Sequence, residues 1–248
     1  MRSPEGEHAY DASAAPRGGG TLRPSPWGLP IRLAYVCKVQ PSDIRVVRTE
    51  DELREIVKAP SQGMWDKDIG RIDEHARTLI AHSPLVLLAT SNDDGTCDVS
   101  PRGDPPGSVL VLDDHRLVIA DRPGNHRVDS FRNILRNPHV GLLFLVPGMT
   151  ETLRVNGRGT IVSDAPFFDD LVVKGRRPRL ALLVEVEELY MHCGKALLRS
   201  GVWRPETWPD RASLPTLGRI VKDQMNLKDV TVAELDEGLA RDAATNQY

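Results

Sequence analysis

Between Leu85 and Tyr190 short apolar runs alternate with tight polar turns, and this alternation constrains the fold more than any other feature of the chain. Leu85–Thr90, Val109–Leu112, Leu117–Ala120 and His139–Val146 read as strands, and Thr96–Ser100, Thr152–Val162 and Arg179–Tyr190 extend the series. The unbroken apolar run Leu85–Thr90 predicts a strand buried on both faces. Asn92-Asp93-Asp94-Gly95 predicts a hairpin turn, because Asp-Gly tolerates positive φ. Asp113-Asp114-His115-Arg116 predicts a second hairpin, and Pro147-Gly148 a third turn. Gly157 and Gly159 predict a bend in the strand that contains them. A helical period is embedded here: Val128, Phe131, Ile134 and Leu135, stopped by Asn137-Pro138. Short strands, close hairpins and one embedded helix imply a mainly β fold with α decoration, an antiparallel barrel rather than βαβ units.

The flanks differ. Residues 1–30 are rich in Gly, Pro, Ser and charge, a composition that buries too little surface to offset ordering entropy, so a disordered tail is expected. Residues 31–68 form an extension with a short strand or two up to Val47. In its helix, Thr49-Glu50-Asp51-Glu52 is a capping box ahead of Leu53, Ile56 and Val57. A second helix is expected over Ile69–Ala81, where His75 reads as structural. Asp164 is a candidate N-cap for a helix over Pro166–Val173. Residues 204–248 read as a C-terminal helical extension, leaving 69–203 as the barrel.

The chain has 248 residues and a formal net charge of −3, which argues against a nucleic-acid partner. No window approaches the roughly 20 apolar residues of a membrane span, and no secretory pattern opens the chain. Cys37, Cys97 and Cys193 are too few and too scattered for a disulfide framework or a zinc site. Reduced thiols and a cytoplasmic location are the expectation. No metal site is expected.

Polar, Arg-bearing segments sit at the strand ends, where rigid sheet can position them against a ligand. The strand Leu117–Ala120 feeds the turn Asp121–Arg127, which feeds a helix start. Backbone N–H groups there favour an anion. Asn125, His126 and Arg127 can complete a phosphate cradle, and Arg102 supplies a second planar guanidinium. The alternative makes Asn125 a simple helix cap and the arginines solvated surface. Gly-x-Ser-x-Gly, Walker and His-Glu-x-x-His patterns are absent. Asp169-Asp170 and Glu185-Val186-Glu187-Glu188 read as solvated faces. No catalytic side chain is assigned.

Three segments carry a resemblance: Val99-Ser100-Pro101-Arg102-Gly103-Asp104, Arg127 to Pro138, and Val155-Asn156-Gly157-Arg158-Gly159. Over about Ile69–Trp203 the chain resembles the flavin-binding split-barrel proteins of the pyridoxamine 5'-phosphate oxidase-like superfamily. The resemblance implies a six-stranded antiparallel split β-barrel, a homodimer, and FMN at each end of the dimer interface. It places Ser100, Arg102, Gly103 and Asp104 by the phosphate and ribityl chain. Ala120 and Asp121 would lie against the flavin, Asn125, His126 and Arg127 at the phosphate, and Thr152 and Arg154 at the isoalloxazine edge. The C-terminal stretch departs from the vitamin B6 oxidase and resembles an uncharacterised branch. There Lys195, Arg199 and Trp203 fall at i, i+4 and i+8, one face if the helix continues, and are expected to contact substrate or the second subunit. The implied activity is FMN-dependent oxidoreduction of an unidentified small molecule. The alternatives are a non-catalytic flavin store or sensor, a deazaflavin protein, or a haem-binding barrel with His192 or Cys193 as axial ligand.

Overall fold

The computed structural model describes residues 40–248. The expected tail at 1–30, and most of the strands expected up to Val47, lie outside the described residues. Two units divide the chain at Val46/Val47. In the first, Pro41–Asp43 forms one 3-10 turn. Everything below concerns the second.

The second unit opens with α1 (Glu50–Ile56) and α2 (Gln62–Trp65). Thr49 caps α1 by accepting the Glu52 N–H as expected, but Glu52 reaches one residue past the cap, to the Arg48 N–H, so the box is only half formed. α3 (Glu74–His82) starts at Asp73, whose carboxylate accepts the Ala76 N–H. It begins five residues later than expected because the preceding residues dock on the sheet: Ile69 N–H donates to Leu189 and Ile72 N–H to Asp114.

Seven strands follow: β1 (Leu85–Ser91), β2 (Cys97–Gly103), β3 (Leu110–Val111), β4 (Arg116–Ala120), β5 (His139–Leu145), β6 (Thr152–Val162) and β7 (Ala181–His192). All pairings are antiparallel, in the order β2-β1-β5-β6-β7-β4-β3. The mainly β split-barrel class holds, with seven strands rather than six because the two-residue β3 pairs with β4. β2 runs on through Pro101, which an edge strand tolerates because one of its sides has no ladder to complete. Asn156/Gly157 forms a bulge between β6 and β7, and a Cβ on Gly157 would lie 1.9 Å from the Glu185 carbonyl oxygen. Only glycine lets the two backbones approach so closely.

The main core gathers Ile72 and Ile80 with Val86, Leu88, Leu142, Phe144, Leu153, Val155 and Val184. α4 (Asp129–Ile134) adds Phe131 and Ile134. One expectation is corrected here. β1 is buried on alternate residues only, so it is not covered on both faces. β4 is the strand buried on both sides: Leu117 and Ile119 enter the main core, while Val118 and Ala120 pack on Phe168 and Leu171. Those two phenylalanine and leucine positions lie in a 3-10 segment, Pro166–Leu171, capped at Ala165. Asp164 does not cap it and pairs with Arg177 instead. The outer face of β1, β2 and β5 carries Leu85, Leu87, Ala89, Val99, Leu143 and Leu145, all at least partly exposed. α5 (Lys195–Ser200), α6 (Leu217–Gln224) and α7 (Val232–Thr245) complete the unit.

Candidate functional site

Both ends of the loop Asp121–Val128 are tied to β2. At its start, Arg102 Nη1 donates to Asp121 Oδ1 at 3.1 Å, and Arg102 Nε donates to Ser100 Oγ at 3.2 Å. The Arg102 guanidinium also lies over the Phe131 ring, 5.3 Å from its centroid. At the far end, Ser130 Oγ donates to Asp98 Oδ2 at 2.6 Å and sits 3.0 Å from Ser100 Oγ. One residue along, Arg122 Nε donates to Asp104 Oδ2 at 2.6 Å, and its Nη2 donates to the Leu171 carbonyl at 2.9 Å. β2 and β4 share no ladder. The ion pairs Arg102–Asp121 and Arg122–Asp104 bridge the gap between them, so they close the split in the barrel. Asp104 Oδ1 is buried with no hydrogen-bond partner among the described residues.

Within the loop, His126 has φ 59° and Val128 φ 49°, the left-handed region that non-glycine residues seldom enter. The backbone N–H groups of Gly124, Asn125 and His126 make no hydrogen bond within the described residues. These three residues are exposed, so their N–H groups meet solvent and are open to an anion. Asn125 is not a helix cap. Val128 caps α4 through its backbone, and the Asn125 side chain accepts the Arg127 N–H at 3.0 Å. Arg127 is exposed, and its Nε donates to Asp129 at 2.7 Å. It lines a cavity of 280 Å³ with Arg132, Arg136, Thr96 and Asp98.

The burial of Asp121 pushes its carboxyl above the ordinary 3.8, and the charges of Arg102 and Arg122 only partly offset this. The pair is therefore held in a partly desolvated place, as ligand-binding groups often are.

Thr152 and Arg154 belong to a different patch. Thr152 is buried opposite His192. Arg154 faces outward, stacks on Tyr190 at 4.1 Å and donates to Glu188 at 3.2 Å. Glu188 also accepts from Asn156 at 2.7 Å, so it is not a merely solvated carboxylate. Arg154 Nε is buried without a partner among the described residues. The His192 ring tilts on Tyr190, and burial followed by the Arg154 charge lowers its pKa from 6.5. Lys195 and Arg199 are exposed on α5. The three-residue face with Trp203 does not form, because Gly201 turns left-handed at φ 60° and ends the helix. Trp203 instead donates Nε1–H to the Met149 carbonyl at 2.8 Å.

Sequence reasoning missed Arg122, Ser130, Phe131 and Asp98 as members of the loop-anchoring group. It also missed Tyr190 and Glu188 beside Arg154. Their partners lie 18 to 36 residues away, and no local spacing marks them.

Residues 72–193 match the family model described as pyridoxamine 5'-phosphate oxidase. This segment is a pyridoxamine 5'-phosphate oxidase-like domain. No curated protein matches the chain. Among solved structures, a Lactobacillus delbrueckii protein provisionally named a pyridoxamine 5'-phosphate oxidase is 26% identical. That likeness covers 50% of this chain and 98% of that one, with a TM-score of 0.40. An FMN-binding protein from Syntrophomonas wolfei is 13% identical over 58% of this chain and 94% of that one, TM-score 0.40. The haem storage protein HutZ from Vibrio cholerae is 14% identical over 49% and 94%, TM-score 0.36. Among the described residues no helix is long and apolar enough to cross a membrane. No cluster of three His, Cys, Asp or Glu residues suited to a metal ion occurs there either.

Proposed function

We propose that this oxidase-like domain binds FMN at the split between β2 and β4 and serves as a flavin-dependent oxidoreductase of a small molecule. One observation carries the reading: the Asp121–Val128 loop offers backbone N–H groups without partners, flanked by Arg102 at its base and Arg127 near its end. That donor set fits a phosphate. The N–H groups of Gly124 to His126 and the Arg127 guanidinium would hold it, and Arg102 would share its charge between Asp121 and the ligand. Ser100, Gly103 and Asp104 fix the β2 end of the site, and Ala120 fixes the β4 end.

Bound FMN would supply the hydride chemistry, so the chain's own residues need only bind, orient and screen it. A homodimer accords with this reading. Arg154, with its buried and partnerless Nε, lies on the opposite face of the sheet from Ser100 and Arg102, where it is placed to meet a ligand held by a second protomer. Lys195 and Arg199 are exposed cations available to a substrate or that protomer.

The test compares FMN with riboflavin, which lacks the phosphate. Arg127→Ala should weaken FMN about tenfold to a hundredfold, the equivalent of one lost charge-assisted hydrogen bond. Riboflavin affinity should hold. Equal weakening of both would reject the phosphate assignment. Anaerobic reduction of the bound flavin by a nicotinamide supports an enzyme, and failure with every nicotinamide supports a flavin store. A second reading, haem, draws on His192, whose lowered pKa keeps the imidazole neutral and able to ligate. A haem spectrum in the purified protein, abolished by His192→Ala, would establish it.

A further inference from the structure

At the start of the Asp121–Val128 loop, the split between β2 and β4 holds an acceptor that nothing in the fold answers. Arg122 is fixed by its bonds to Asp104 Oδ2 and the Leu171 carbonyl, and its side chain is only 12% exposed. The Asp104 side chain is 14% exposed, and its Oδ1 has no partner among the described residues. A buried carboxylate oxygen without a donor is costly, so it points to a donor brought by something else.

An aromatic ring already stands here. Tyr248 follows the end of α7 by three residues. Its ring centroid is 5.7 Å from the Arg122 guanidinium and 4.8 Å from Lys174 Nζ. Burial, then the Asp104 carboxylate beside its hydroxyl, raise the Tyr248 pKa above 10.0. The hydroxyl nonetheless completes no bond to Asp104 Oδ1. The ring fills the place without satisfying the acceptor.

The hold on Tyr248 is weak. Cation–π contacts are worth little at exposed sites, and Lys174 is exposed. α7 buries none of its residues, and it is tied to α6 by a bond from the Gly218 N–H to Asp236 Oδ1 at 2.8 Å. Elements with so few buried contacts open locally at little cost. The place also adjoins the proposed phosphate site. Gly124, the first residue with a partnerless N–H, is two residues beyond Arg122, so the two backbones lie within about 7 Å.

We propose that Tyr248 is a displaceable cover on this end of the split, and that it gives way to a planar ring carrying an N–H or O–H donor for Asp104 Oδ1. The inference rests on the flavin reading and deepens it. With a phosphate on the loop N–H groups, the isoalloxazine ring takes the place of the tyrosine ring, and its imide N–H supplies the missing donor. Asp104 then reads the ring edge, and its negative charge stays off the phosphate.

The test uses the full chain stripped of cofactor. Tyr248→Ala should bind FMN roughly threefold to thirtyfold more tightly than wild type, since two cation–π contacts no longer compete. Riboflavin should gain equally, because the ring and not the phosphate is contested. 3-Methylriboflavin, which lacks the imide N–H, should bind about tenfold or more weaker than riboflavin to both forms. With fluorotyrosine at all four tyrosines, the fluorine resonance that Tyr248→Phe removes should move to the free amino-acid position on saturation with FMN. Unchanged or weaker FMN binding by Tyr248→Ala overturns the proposal, as does a gain confined to FMN. A stationary resonance, or equal affinity for riboflavin and its methyl derivative, does the same. Each of these leaves FMN bound and the flavin reading standing. Failure of wild type and variant alike to take up FMN refutes that reading and this inference together.

Discussion

Arg102→Ala is the most informative single substitution, because Arg102 both closes the barrel split and faces the proposed phosphate site. Arg102 and Asp121 are 21% and 26% exposed, so most of the pair is out of water. Removing the guanidinium strands a half-buried carboxylate, which costs about 1–3 kcal/mol. Losing the stack on Phe131 adds about 0.5–1 kcal/mol. A combined loss of about 2 kcal/mol lowers Tm by roughly 4–8 °C in a domain of this size. Arg102→Ala with Asp121→Asn removes the stranded charge as well, and about half of that loss should return. Scanning calorimetry without ligand reads both values. Titration calorimetry then reads the ligand: FMN should weaken roughly tenfold to a hundredfold, with riboflavin much less affected. An unchanged Tm would refute the role of the pair in closing the barrel. A double variant less stable than Arg102→Ala would refute the stranded-charge argument. FMN and riboflavin weakening together would show that Arg102 only supports the fold.

Four other outcomes follow from the same geometry. The raised pKa of Asp121 means that the folded state holds its proton longer than the unfolded state, so this group costs stability as pH rises from 3.8 upward. Asp121→Asn should flatten that decline in denaturant midpoints measured across the acid range, and parallel curves for variant and wild type would contradict it. His192 has the opposite sign: its depressed pKa gives stability present above 6.5 and lost as pH falls through the folded value, and Arg154→Ala should move its NMR titration midpoint back up. Gly157→Ala forces a Cβ into the Glu185 carbonyl, and a cost above about 3 kcal/mol should leave little folded protein on expression, whereas unchanged yield and Tm would show that the bulge can relax. Trp203→Phe keeps one aromatic ring but loses the bond to Met149 and part of the indole's packing, so about 1–2 kcal/mol should disappear from chemical denaturation, and no change would mean that neither contributes anything net.

Local signals in the sequence carried much of this fold. Asn92 to Gly95 closes the β1–β2 hairpin with Gly95 at φ 85°, as its turn chemistry requires. Asn137-Pro138 does separate α4 from β5. The bend expected at Gly157 is the observed bulge. Long-range relations were illegible. The apolar runs of β1 and β4 look alike in sequence, yet only β4 is covered on both sides, because Phe168 and Leu171 return to it from some fifty residues downstream. The left-handed cap at Val128 follows from tying both ends of the loop to β2, which no residue type announces. Arg102 and Asp121 were both legible as candidates from their strand-end positions. Their pairing was not, since side-chain partners across a barrel split leave no periodic trace.

The central claim is that FMN occupies the split between β2 and β4, and the most direct measurement is the mass and absorbance of whatever copurifies with the full chain. The account predicts a flavin spectrum, a released species with the mass of FMN, and about one equivalent per protomer, falling sharply in Arg127→Ala. Where the protein purifies empty, added FMN should restore that stoichiometry. A haem spectrum, a deazaflavin mass, or failure to take up FMN at any concentration would contradict it.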